Sequence, residues 1–179
     1  MGRLSAFEWL RSHKAELLRG LLFFLLWLVL LDFPRQIATL AIDPSWKRCL
    51  GYLLTHRYQC GVDFVWNHGP LGYFIHPVYD ANLFWWKYAW EVGVKFAFAW
   101  ILLRWAGLMR RGWTRTAFVV LVLLFLADVV DTLYLFCLML MGLLPLRDEN
   151  CRTPGHLAAG TVVLAILSLT KFTFLIMGA

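Results

Sequence analysis

Apolar residues crowd this chain into long runs that polar residues seldom interrupt. The first is Leu17 to Leu31, LLRGLLFFLLWLVLL, which offers no polar stripe at helical spacing. A helix that is apolar all round has no water-facing side and is predicted to lie in lipid or in a protein interior. Crossing a hydrocarbon layer of about 30 Å takes roughly 20 helical residues. By that measure spans are predicted at 17–33, 83–105, 115–130, 131–146 and 157–179, with a loop over 43–82.

The stretch Ala117 to Pro145 admits two arrangements. As one helix it would be about 43 Å long and would hold Asp128 and Asp131 near the bilayer centre, at about 2.5–3.5 kcal/mol each. As two short helices meeting at 128–131, it would bring the same acids to the outer surface, and this hairpin is the preferred expectation.

Composition agrees with the pattern. Of 179 residues, 61% are hydrophobic and only 16% charged, and the mean hydropathy is +0.66. Such a chain has too little polar surface to cover a globule, so the expected class is an all-α, polytopic transmembrane bundle with short helices in an extracytoplasmic loop. A secretory leader fits the first run poorly, because its core is long and Asp32-Phe33-Pro34 stands where a small-residue cleavage site belongs. The chain ends LSLTKFTFLIMGA without a polar flank, which predicts that it is the front piece of a longer polypeptide.

Charge sets the orientation. Arg3, Arg11, Lys14 and Arg19 precede the first run, and Arg104, Arg110, Arg111 and Arg115 follow the second with no acid among them. Both groups are expected in the cytoplasm, which puts 43–82 outside and makes the net charge of +6 a topological signal. Cations that flank spans do not form a nucleic-acid surface.

Familiar enzyme signatures do not occur: no phosphate-cradling glycine loop, no G-x-S-x-G and no H-E-x-x-H. His56, His68 and His76 lack the one-turn spacing of a helical zinc pair, so no metal or other cofactor is expected. Cys49 and Cys60 share the outer loop and could pair if the compartment oxidises. Lys87, Glu91 and Lys95 recur every four residues, as a self-satisfied ion-pair row does. The remaining polar groups converge on the outer face: Asp43, Asp63 and His68 in the loop, Asp128 and Asp131 at the hairpin tip, and Lys171 about 21 Å along the last helix from Leu157. Ionisable groups beside spans mark candidate functional sites. Asp43 before Pro44 also suits a helix cap.

The order of these features resembles the front of the C-superfamily of membrane glycosyltransferases, in the protein O-mannosyltransferase and aminoarabinose-transferase branch with its uncharacterised bacterial relatives. The resemblance lies in IDPSW at 42–46, HGPLGYF at 68–74, ADVVDTLYLF at 127–136 and LTKFTFL at 169–175, taken in sequence. It departs from the family at Pro44, where a Glu often follows the Asp, and at Gly69, where a Pro is usual. The resemblance implies transfer of a sugar from a polyprenyl-phosphate carrier to an acceptor at the outer face of a bacterial inner membrane. Asp43 would then be the catalytic base, with Asp63, His68, Asp128, Asp131 and Lys171 binding substrate. The competing class is a transporter or a non-catalytic membrane protein, with Asp128, Asp131 and the Lys87 row lining a route.

Overall fold

The computed structural model describes residues 13–33, 42–59, 62–63, 68–125 and 129–171. Among them lie six α-helices: α1 (Lys14–Leu30), α2 (Ile42–Thr55), α3 (Phe84–Leu108), α4 (Gly112–Phe125), α5 (Val130–Arg147) and α6 (Pro154–Ser168). Two 3-10 turns, Gly72–Ile75 and Glu149–Cys151, complete the elements, and no strand occurs among the described residues. The fold is all-α. One helix of the described residues, α5, is long and apolar enough to cross a membrane.

The stretch 112–147 carries two helices, α4 and α5, in place of a single long rod. Helix α2 begins at Ile42, so Asp43 stands inside its first turn, a correction to its expected place as the cap. Pro44 is tolerated there because the amides of a first turn have no intrahelical partner to lose.

Helix α3 is the hub, packing against α1, α4 and α5, while α6 packs on α5. Phe98, Ala99 and Leu102 of α3 meet Leu26 and Leu30 of α1 and Leu133, Tyr134 and Cys137 of α5 in one core. Tryptophans fasten this core at both ends with indole N–H bonds. Trp27 donates to Val92 O at 3.1 Å, Trp90 to Tyr134 Oη at 3.0 Å and Trp105 to Leu140 O at 2.8 Å. An unpaired indole in this apolar setting would cost about 1–3 kcal/mol, so each bond fixes the register of α3 on its neighbour.

Apolar side chains also cover the outside. Leu18, Leu21 and Leu22 of α1 are about half exposed, as are Val120 and Leu121 of α4 and Val162 of α6. Three charges of α3 lie inside instead: Lys87, Glu91 and Lys95 are 1%, 3% and 1% exposed. Glu91 stands 3.9 Å from Lys87 and 3.6 Å from Lys95, and its Oε1 accepts the Asp32 amide at 3.0 Å. Lys87 also donates to Phe74 O, and Lys95 lies over the rings of Phe98 and Tyr134.

Candidate functional site

The segment HGPLGYFIHP folds as a clasp on the end of α6. His68 and Lys171 form an isolated antiparallel bridge. The Gly69 amide donates to Thr170 O at 3.1 Å and the Leu71 amide to Leu169 O at 2.9 Å. Carbonyls just past a helix end lack intrahelical donors, and these two amides supply them. Pro70, which has no N–H, occupies the one position between them that donates nothing.

Glycine is required here by close approach. A Cβ on Gly69 would sit on the Leu169 carbonyl, 2.7 Å from its carbon, and one on Gly72 would lie 2.7 Å from His68 Cβ and 3.1 Å from Thr170 O. The backbone then closes into the Gly72–Ile75 turn, anchored by Tyr73, whose hydroxyl donates to Val78 O at 2.9 Å. That turn delivers His76 back onto His68.

The two imidazoles meet with Nε2 to Nε2 at 3.2 Å. Both residues are buried, so one ring presents N–H and the other its lone pair, and the pair shares one hydrogen. Trp46 of α2 covers them, its ring 5.1 Å from that of His68 and 5.0 Å from that of His76. Beside them Lys171 pairs with Asp131 of the first turn of α5. The other carboxylate oxygen of Asp131 is buried and has no hydrogen-bond partner among the described residues.

Burial pushes His76 down to about 3, with the His68 ring and the Lys47 and Lys87 ammoniums adding to the effect and Asp131 opposing it. Burial likewise lowers His68, with Lys171 adding and Asp131 opposing. Near neutral pH two uncharged rings therefore lie beside the Lys171–Asp131 pair.

This has a signed consequence for stability. The unfolded histidines take up protons near pH 6.5, while folded His76 resists to much lower pH and folded His68 is also lowered. Stability is full above pH 6.5 and is lost as pH falls below it, by up to about 1.4 kcal/mol per pH unit for each ring. Thermal midpoints measured from pH 7 to pH 5 are expected to fall, and His76→Gln is expected to flatten the slope. A flat profile would mean that the rings are hydrated.

His68, Asp131 and Lys171 thus come together from three distant segments. Asp63 does not join them: it is exposed and its carboxylate accepts the Gln59 amide at 2.6 Å, closing a local turn. Asp128 and the side chain of Asp43 lie outside the described residues, although the α2 backbone places Asp43 one helical turn before Trp46. Cys49 is an exposed free thiol, and Cys60, the partner the sequence offers it, lies outside the described residues. Among the described residues no group of three or more His, Cys, Asp or Glu is placed to hold a metal ion.

Two members of the cluster, His76 and Trp46, were not among the sequence candidates. Their signal in the sequence is faint: two histidines flanking a Gly/Pro turn, and an aromatic three residues after an acid. Comparison with family models, curated proteins and solved structures gives no match.

Proposed function

We propose that the chain is a multi-pass membrane protein, with α1, α3, α4, α5 and α6 embedded and its N-terminus in the cytoplasm, and that the cluster under Trp46 is the phosphate end of a glycosyltransferase-like site. The apolar exteriors of α1, α4 and α6 support embedding, as does the neutralisation of the α3 charges inside the protein. Helix α3 carries Lys87, Glu91, Lys95 and Arg104, but the first three face no lipid.

The observation that carries the functional reading is the gathering of Lys171, Asp131, His68 and His76 at one end of the helices, a turn of α2 away from Asp43. Lys171 supplies the positive charge that a carrier phosphate needs as it departs, and His68 adds a polar ring beside it. The acceptor oxygen attacks the anomeric carbon from the opposite side and loses its proton to Asp43. The bond from that carbon to the phosphate oxygen breaks, and the phosphate leaves with the electron pair. An incoming phosphate would compete with Asp131 for Lys171. The transporter alternative drew on the Lys87, Glu91 and Lys95 row; that row is closed on itself and buried, which weighs against its lining a route.

The test is binding of polyprenyl phosphate to the chain in proteoliposomes. Lys171→Gln is expected to weaken binding about tenfold, the value of one charge-assisted contact, and Asp63→Ala to leave it unchanged. Asp43→Ala is expected to keep binding and to abolish transfer of label from a charged carrier. Unaltered binding by Lys171→Gln would sink the assignment.

A further inference from the structure

The far ends of α3 and α5 carry a second charged region that the transfer reading does not use. Asp131 and Arg147 stand at opposite ends of α5, about 25 Å apart along its axis. Arg110 lines one recess with Arg147. Three other arginines are engaged by the protein: Arg104 pairs with Asp148, Arg115 Nε donates to Met109 O at 2.8 Å and Arg152 Nε donates to Pro145 O at 2.8 Å.

Arg110 and Arg147 are exposed and have no such partner among the described residues. Together with Trp105, Leu108 and Met109 they line a recess of about 400 Å³. The Trp105 indole N–H is turned inward onto Leu140 O, so the part of this side chain left to the recess is apolar ring. Leu146, 73% exposed, and Trp113, 67% exposed, precede and follow these residues on the same end of the molecule.

We propose that this recess binds the phosphodiester headgroup of an acidic phospholipid. Two guanidinium forks from different helix ends line one space, and no carboxylate lines it with them. Guanidinium groups pair with phosphate oxygens through two parallel N–H bonds, and two of them suit a singly charged phosphodiester with both free oxygens engaged. Three of the five lining residues are apolar, so the recess matches a ligand that joins an anion to hydrocarbon. Free phosphate would satisfy the arginines alone. The inference rests on the membrane-embedded reading above and is independent of the transfer reaction.

The experiment uses the full chain in uncharged detergent, titrated separately with dioctanoyl phosphatidylglycerol, dioctanoyl phosphatidylcholine and inorganic phosphate while the thermal midpoint is followed. Saturable stabilisation by phosphatidylglycerol alone is expected. Arg110→Gln combined with Arg147→Gln is expected to weaken it at least about tenfold, and each single change severalfold. Arg111→Gln, outside the recess, is expected to leave it unchanged. Equal stabilisation by inorganic phosphate, or wild-type titration of both single variants, would overturn the proposal. Alkaline carbonate extraction of expressing membranes separates the two readings. Retention in the membrane without a lipid effect rejects the headgroup site alone, whereas release rejects embedding and the headgroup site with it.

Discussion

Glu91→Ala is expected to lower the unfolding free energy by about 3–5 kcal/mol, the cost of leaving buried charge without its partner. The carboxylate lies between two ammoniums, at 3.9 Å from Lys87 and 3.6 Å from Lys95, and all three residues are at least 97% buried. Removing it leaves two like charges one above the other on α3 and frees the Asp32 amide that now donates to Glu91. Replacing the whole row, with Lys87→Met, Glu91→Leu and Lys95→Met together, is expected to restore most of the loss, because no stranded ion remains. Thermal unfolding in detergent reads both variants. Wild-type stability of Glu91→Ala would show that the lysines are not held as ions.

Gly69→Ala is expected to cost about 2–3 kcal/mol and to open the clasp. The added methyl meets main chain, the Leu169 carbonyl, with no flexible side chain to swing aside. Either the backbone shifts, at an overpacking cost of about 1–3 kcal/mol, or the Gly69 and Leu71 amide bonds to Thr170 and Leu169 break, at about 1 kcal/mol each. Gly93→Ala is the control: nothing lies within 4 Å of its Cβ direction, and α3 gains helix propensity there. The two midpoints should move in opposite directions. A Gly69→Ala protein as stable as the parent, with His76 still shielded from modification, would refute the close approach.

The helical skeleton was legible because apolar runs and their interruptions are local properties of the chain. The ion-pair row was legible for the same reason, since the spacing of Lys87, Glu91 and Lys95 places them on one helix face wherever the helix lies. That it faces inward depends on what α3 packs against, and no spacing reports that. Within the candidate site, counting helices up and down was enough to suggest that Asp131 and Lys171 share an end with His68. The meeting of His76 with His68 was hidden, because it is made by the Gly72–Ile75 turn and by two glycines whose need comes from α6, about a hundred residues later. The local turn made by Asp63 was hidden for a related reason: an acid in a loop looks the same in sequence whether it faces a cavity or, as here, accepts a nearby amide. Gly69 has a physical basis in this chain, where its N–H is spent on Thr170 O, a bond that a Pro could not make.

The bridge between His68 and Lys171 also sets a clock on synthesis. The loop emerges from the ribosome early, but its partner Lys171 is made only after every described helix has been translated. At about 5–20 residues per second the interval is roughly 5–20 s. Through that time the two histidines have no seat and the Gly/Pro turn no anchor, so the nascent chain carries an unfinished site until residue 171 is made. Truncated chains released before residue 171 should therefore be sensitive to protease at the loop, and full-length ones resistant.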